Sequence, residues 1–94
     1  MARRPLDLAD HLLELIAHLA PELKKKVRFA LDEIENDPGS GKPLSDELQG
    51  YRSYKLGQWR IIYQEKTSAI EIVSLGPRRT IYQKVVLEIR KRKS

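Results

Sequence analysis

Apolar side chains recur every three or four positions in the first third of the chain, which is the spacing of an amphipathic α-helix. One such stripe lies within residues 5–19, and a second follows within residues 21–36. Pro21 separates them, because proline disfavours helical backbone in the residue before it and clashes inside a helix. The tight break predicts an antiparallel helical hairpin over residues 1–37, with both stripes on one face of a sheet.

The spacing of apolar residues changes to alternation after the loop at residues 36–41, which is rich in Pro, Gly and Ser. Three strands are predicted, Tyr51–Leu56, Trp59–Glu65 and Ala69–Leu75. Gly57-Gln58 has the length of a hairpin turn between the first two strands. Residues 1–10 show no alternation, so we predict that the first helix begins at about Pro5 with no strand before it.

A last helix is predicted from about Thr80 to Arg90, followed by a mobile basic tail at residues 90–93. Its inward residues are predicted to be Ile81, Val85 and Ile89. The 94 residues are therefore predicted to form a single α+β domain. In this domain two N-terminal helices pack on a small twisted antiparallel sheet of about three strands within residues 42–82, and a C-terminal helix and tail occupy residues 80–94.

Positive charge is concentrated in the second half of the chain, where the strands are predicted. Residues 1–37 carry six Lys/Arg and eight Asp/Glu, whereas residues 38–94 carry twelve and five, which gives the chain its net charge of +5. Such a field attracts polyanions, nucleic acid above all, or an acidic protein. The chain has no cysteine, no metal or cofactor motif and no apolar run long enough to span a membrane. We therefore expect a cytoplasmic protein without metal or cofactor.

Four side chains near the ends of the predicted strands are candidates for chemistry. Lys55 and Arg60 flank the two-residue turn, so their strands are adjacent, and Arg78 follows the third strand. These cations can converge at one end of the sheet, or they can be ordinary edge charges that prevent aggregation. Tyr82 begins the last helix four residues after Arg78, where it either joins this group or packs the helix on the sheet.

The run GKPLSDELQGYRSYKLGQWRIIY, followed by IVSLGPRRTIY, resembles the RelE/ParE superfamily of toxins from type II toxin–antitoxin modules. The resemblance rests on a Lys-Pro-Leu approach, a basic residue two positions before a glycine, an aromatic-Arg-aliphatic-aliphatic-Tyr strand and a Gly-X-Arg-Arg-X-X-Tyr ending. It covers roughly residues 20–90. It implies a RelE-like α+β domain that cuts mRNA on the ribosome and so inhibits translation, with a tyrosine and several Lys/Arg in place of a His/Glu pair.

By position, the resemblance implies that Tyr82 accepts the proton of the RNA 2′-hydroxyl. Arg60 and Lys55 would neutralise the phosphate, and Arg78 would stabilise the transition state or the leaving group. Further RNA contacts are assigned to four other cations, Arg52, Arg79, Lys84 and Lys42. A base would stack on one of the aromatic residues Tyr51, Tyr54 or Trp59, with core packing as the alternative for Trp59.

The resemblance also implies a cognate antitoxin, an acidic or amphipathic segment that wraps the basic face, besides the ribosome and mRNA. The toxin–antitoxin complex would bind operator DNA through the antitoxin. Two alternatives stay open: a ParE-like inhibitor of DNA gyrase, and a degenerate relative that binds an antitoxin without nuclease activity. Ser45-Asp46 stands where many relatives have a basic residue and glycine, which, with the missing first strand, favours the degenerate relative.

Overall fold

Residues 4–93 are described by a computed structural model, with the side chain of the last of these left out. Its strands and helices, in chain order, are β1 (Leu6–Leu8), α1 (Asp10–Ala17), α2 (Pro21–Asn36), β2 (Lys42–Pro43), β3 (Arg52–Leu56), β4 (Trp59–Glu65), β5 (Ile70–Pro77) and α3 (Ile81–Lys93). Short 3₁₀ turns lie at Pro38–Ser40 and Asp46–Leu48. None of the helices in this part of the chain has the length and apolar character needed to cross a bilayer.

All five strands form one sheet in the order β1-β5-β4-β3-β2. β1 runs parallel to β5, with Leu6 opposite Ile70, and the other neighbouring strands are antiparallel. The predicted α+β architecture is confirmed, but the sheet has five strands rather than about three. The two missed strands, β1 and β2, are three and two residues long, so neither is long enough to display alternation in the sequence.

The first helix begins at Asp10 rather than at about Pro5, because residues 6–8 form β1. Leu6 and Leu8 are partly buried and pack against the core beneath α1 and α2, whereas Asp7 between them is exposed. At the other end of the chain, α3 continues to Lys93, so residues 90–93 are helical. The prediction of no initial strand was therefore wrong, and so was the predicted end of the last helix at about Arg90.

Helices cover both faces of the sheet. On one face, α1 and α2 pack on β4 and β5 through a cluster of buried residues, Leu12, Ile16, Val27, Ala30, Ile34, Ile61, Tyr63, Ile70, Ile72 and Leu75. On the other face, α3 packs Ile81, Val85 and Ile89 against Ile62 and Val73. The placement of the α1 and α2 stripes on one face is confirmed, and so are the inward residues of α3.

A β-bulge in β5 adjusts its register against β4. Ile62 lies opposite Ser74 and Tyr63 lies opposite Ile72, so Val73 is the extra residue. Val73 and Ser74 are both buried, and Val73 packs in the core beneath α3. Beyond the bulge the alternation resumes, and Gly76 lies opposite Arg60. The bulge therefore sets the register that brings the end of β5 beside Arg60.

The Tyr63 hydroxyl ties the loop before β2 to the centre of the sheet. It accepts a hydrogen bond from the Gly41 amide (2.8 Å) and donates one to the Pro38 carbonyl (2.6 Å). Burial raises the pKa of this hydroxyl above its ordinary value of 10.0. A Cβ atom at Gly41 would lie 2.5 Å from the hydroxyl oxygen, so this close approach requires glycine.

Replacing Tyr63 with phenylalanine is expected to lower the free energy of unfolding by about 1–3 kcal/mol, because the Gly41 amide and the Pro38 carbonyl lose their partner. Urea denaturation measures the difference. Tyr51→Phe is the control, since Tyr51 is half-buried on the other face and packs through its ring. Equal losses in the two variants would show that the Tyr63 hydrogen bonds do not stabilise the loop.

Candidate active site

Two cross-strand rows of residues lead to the candidate site on the α3 face of the sheet. Residues directly opposite one another on antiparallel strands project to the same face. One row contains Lys55, Arg60 and Gly76, and the next contains Lys42, Ser53 and Ile62, of which Ile62 packs beneath α3. The strand pairing therefore brings three of the predicted cations and a serine to one side of the sheet.

Arg60, Arg78, Arg79 and Tyr82 line a shallow cleft of about 360 Å³, which we call the cationic cleft. Arg78 and Arg79 lie between β5 and α3. The Arg78 amide donates a hydrogen bond to the Gln58 carbonyl in the β3–β4 turn (2.8 Å), which fastens this connection beside β4. Three guanidinium groups and no carboxylate line the cleft, so it attracts anions.

Arg60 is held in place by the hairpin that it follows. One terminal nitrogen of its guanidinium donates to the carbonyl oxygens of Gly57 (2.8 Å) and Trp59 (2.7 Å). The other nitrogens of a guanidinium carry further N–H donors, which suit a phosphate. Because the side chain is already fixed by two hydrogen bonds, less conformational entropy is lost when it binds an anion.

The Tyr82 phenol reaches the cationic cleft from the first turn of α3. Its hydroxyl lies 3.0 Å from the Ser53 Oγ, and either atom can donate the hydrogen bond. Ser53 is only 6% exposed, so the phenol is the partner that satisfies a largely buried hydroxyl. Ser53 was not among the site residues predicted from the sequence. The signal for it was its position two residues before Lys55, which places both on the same face of a strand.

The predicted catalytic residues Arg60, Arg78 and Tyr82 thus come together in one cleft, whereas Lys55 lies beside it. Lys55 is exposed and stands opposite Arg60 in the strand register. Of the predicted RNA contacts, Arg79 lines the cleft. The cleft therefore contains three of the four predicted catalytic residues.

The other three predicted RNA contacts lie outside the cationic cleft. Lys42 is exposed at the sheet edge, in the row of Ser53, and Lys84 is exposed on α3. Arg52 is on the opposite face: its guanidinium donates to the Gly41 carbonyl (2.8 Å) and pairs with Glu65 (3.5 Å). Arg52 therefore lies away from the cationic cleft, because residues three apart on a strand, such as Arg52 and Lys55, face opposite sides of the sheet.

The unusual pair Ser45-Asp46 is exposed where the second 3₁₀ turn begins, and neither residue lines the cationic cleft. Its lack of positive charge therefore does not alter the lining of the cleft. Among residues 4–93, no group of three or more histidine, aspartate or glutamate side chains is placed to hold a metal ion.

The sequence matches the family described as "ParE toxin of type II toxin-antitoxin system, parDE" over residues 6–82, which extend from β1 to Tyr82. The chain belongs to this ParE toxin family. The match spans the whole sheet and ends within the first turn of α3. A comparison of the sequence with curated proteins found no match.

Solved structures share the fold of this ParE-family toxin. A mutant of the E. coli toxin RelE in the free state has a TM-score of 0.71 at 19% identity, with 97% of this chain and 98% of that chain covered. The toxin–antitoxin complex RelBE2 from Mycobacterium tuberculosis gives 0.68 at 23%, covering 82% and 100%. YafQ from E. coli strain BL21(DE3) gives 0.65 at 16%, covering 85% and 99%. At these identities the comparison establishes the fold.

Removing either hydroxyl of the Ser53–Tyr82 pair is expected to cost about 0.5–1.5 kcal/mol of unfolding free energy, because each loses its partner. Ser53→Ala, Tyr82→Phe and the double variant form a thermodynamic cycle whose coupling energy is expected to reach about 0.5 kcal/mol or more. A parallel cycle of Ser53→Ala with Tyr54→Phe is the control, because Tyr54 packs on the other face of the sheet. Additive effects in both cycles would contradict the hydrogen bond.

Proposed function

We propose that this ParE-family toxin is an mRNA endonuclease that acts on translating ribosomes without a metal ion. The observation that carries the proposal is the cationic cleft, where three arginines and the Tyr82 phenol line one shallow site with no carboxylate. Phosphodiester cleavage needs charge neutralisation at the phosphate and groups that move protons, and these side chains supply both. Ribosome dependence follows from the resemblance to RelE-like toxins.

In the proposed reaction the RNA 2′-oxygen attacks the adjacent phosphorus and the bond from phosphorus to the 5′-oxygen breaks. The products are a 2′,3′-cyclic phosphate and a free 5′-hydroxyl. The Tyr82 oxygen, ionised in the form that reacts, takes the proton of the attacking 2′-hydroxyl, while the Ser53 hydroxyl donates a hydrogen bond to it and fixes its direction. Ser53 is therefore a positioning residue that acts through Tyr82.

The arginines neutralise charge in this scheme. Arg60, held by its two carbonyl contacts, binds the non-bridging phosphate oxygens, and exposed Lys55 in the same row extends the positive surface along the RNA. Arg78 stabilises the negative charge that develops on the phosphorane and on the departing 5′-oxygen, which takes up a proton from water. Arg79 adds a further contact to the backbone of the RNA.

The proposed partner that controls this activity is a cognate antitoxin with an acidic or amphipathic segment. Several solved relatives of this fold are toxin–antitoxin complexes, among them RelE–RelB from Pyrococcus horikoshii OT3. A segment with negative charge complements a cleft lined by arginines, and its folding on the toxin surface gives a large contact. The complex would bind operator DNA through the antitoxin. We place the protein in the cytoplasm, with its proposed substrate.

Arg78→Ala and Tyr82→Phe are each expected to lower mRNA cleavage at least a hundredfold, since each removes one group that acts in the transition state. Primer extension on a translated message measures cleavage, and growth after induction measures toxicity. Arg28→Ala is the matched control, because Arg28 is exposed on α2 across the sheet. Cleavage at the original level in both site variants would disprove the assignment of the site.

A second candidate function is inhibition of DNA gyrase, which the match to the ParE family favours. A gyrase inhibitor acts through contact with a protein and has no need of the Tyr82 hydroxyl. The two functions therefore separate in one experiment: Tyr82→Phe would keep full inhibition in a supercoiling assay if gyrase is the target. Absence of message cleavage together with inhibited supercoiling would establish the second function instead of the first.

A further inference from the structure

Residues 37–50 wrap around the edge of the sheet, from the face of α1 and α2 to the face of α3. The segment follows the end of α2 at Asn36 and crosses the edge as β2, which pairs with only two residues of β3. Beyond β2, Leu44 and Leu48 pack in the core beneath α3. Because so short a strand has few ladder hydrogen bonds of its own, its position depends on other contacts.

Gly41, the residue before β2, is held through both of its backbone polar groups. Its amide donates a hydrogen bond to the Tyr63 hydroxyl (2.8 Å), and its carbonyl accepts one from the Arg52 guanidinium (2.8 Å). Arg52 and Tyr63 stand directly opposite one another on β3 and β4, so their side chains leave the sheet on the same face. Together they fix the backbone from which Lys42 projects.

Lys42 itself projects to the other face, which is the face of the cationic cleft. It stands opposite Ser53, whose hydroxyl lies 3.0 Å from that of Tyr82. Two residues further along β3, Lys55 stands opposite Arg60. These two rows are about 7 Å apart, since a strand advances about 3.4 Å per residue, and neighbouring phosphates along one RNA strand have a comparable separation. An RNA whose scissile phosphate lies beside Arg60 can therefore present its next phosphate to Lys42.

Arg52 is not placed to touch the RNA. On the face away from the cleft, its Nε lies 3.5 Å from a carboxylate oxygen of Glu65. The same carboxylate pairs with Arg4 (2.7 Å), which also donates a hydrogen bond to the Lys66 carbonyl (2.9 Å). The charge of Arg52 is therefore paired, and one of its terminal nitrogens is bound to Gly41.

We propose that Arg52 is a positioning residue for RNA binding: it fixes Gly41 from behind the sheet and so holds Lys42 where its ammonium group binds the phosphate next to the one that is cleaved. This inference rests on the proposed function. Lys42 is the group that touches the RNA, whereas Arg52 acts through the backbone of residues 41 and 42. When that backbone is already fixed, binding restricts only the rotations of the lysine side chain, so less conformational entropy is lost.

The test compares the binding of two uncleavable RNAs to the whole protein. One is a fluorescent 2′-O-methyl dinucleotide with a single phosphodiester, which the arginines of the cationic cleft are expected to hold, and the other is a trinucleotide with two. Fluorescence anisotropy gives their dissociation constants at several salt concentrations. The variants are Lys42→Ala, Arg52→Ala, Arg52→Met, Arg52→Lys, Arg78→Ala and the double variant of Lys42→Ala with Arg52→Ala. Arg52→Met keeps the length of the side chain without its donors.

Arg4→Ala is the matched control. Arg4 pairs with the same Glu65 carboxylate and is 33% exposed against 30% for Arg52, but its hydrogen bonds go to Glu65 and Lys66 rather than to Gly41. Its removal therefore takes the same charge from the same network without releasing the Gly41 carbonyl. Circular dichroism and the thermal midpoint confirm that each variant is folded.

Lys42→Ala, Arg52→Ala and Arg52→Met are each expected to weaken the trinucleotide about fivefold and to leave the dinucleotide unchanged, because only the longer RNA has a phosphate for Lys42. Each is also expected to reduce the slope of log affinity against log salt by about 0.7, the value for one phosphate of a single strand. Arg52→Lys keeps a donor for the Gly41 carbonyl and is expected to stay within about twofold of the parent protein. The double variant is expected to bind no more weakly than Lys42→Ala alone. Arg4→Ala is expected to change neither affinity nor slope.

Equal losses in Arg52→Ala and Arg4→Ala, additive losses in the double variant, or equal weakening of the two RNAs by Arg52→Ala would overturn the positioning role. Unchanged binding of the trinucleotide to Lys42→Ala would overturn the second phosphate site. In all these cases the proposed function survives if Arg78→Ala weakens both RNAs. If Arg78→Ala weakens neither, or if the parent protein binds neither, the cationic cleft is not an RNA site and the proposed function is wrong as well.

Discussion

The register of β4 against its two neighbours is the constraint on which the rest of the structure depends. β4 lies at the centre of the sheet and its side chains alternate between two cores, with Ile61 and Tyr63 under one pair of helices and Ile62 under α3. A slip of one residue would exchange these faces and bury Arg60. Because both faces are covered, the apolar residues hold the charged ones in a single register.

That register also brings positive charge together beside β4 without a balancing carboxylate in the lining of the cleft. Several cations elsewhere in the described residues pair with carboxylates, as Arg4 and Arg52 do with Glu65 and Arg92 does with Glu71. In the cationic cleft, carbonyl oxygens hold the Arg60 guanidinium, and the lining consists of three arginines and a phenol. Like charges held together repel one another and disfavour the compact state. An anion that binds there relieves this repulsion.

The parts of the fold that could be predicted from sequence are those whose signal is local. The helices and the three long strands have periodic patterns over many residues, and the turn at Gly57-Gln58 sets Lys55 opposite Arg60. The edge strands β1 and β2 were not predicted, because each is a strand through its pairing with β5 or β3 rather than through a pattern in its own few residues. Propensity is a weak guide where tertiary pairing decides the conformation.

The residues of the candidate site could be predicted where the motif gives their position or where the alternation of side chains along a strand gives their face. Arg60, Arg78 and Tyr82 follow from the motif, and the spacing of three residues from Lys55 places Arg52 on the other face of the sheet. Ser53 could not be recognised as a partner of Tyr82 without the packing of α3, which brings residues far apart in the sequence within 3.0 Å.

The strand pairing with the largest sequence separation, that of β1 with β5, is separate from the cationic cleft. β3, β4 and β5 form a meander of consecutive antiparallel strands, and the cleft residues lie on this meander or just after it. β1, by contrast, joins β5 across the two helices and the rest of the sheet, a closure that carries a larger entropic penalty. The arginines of the cleft are therefore brought together by contacts of short sequence separation, whereas the pairing of β1 with β5 closes a loop that includes most of the chain.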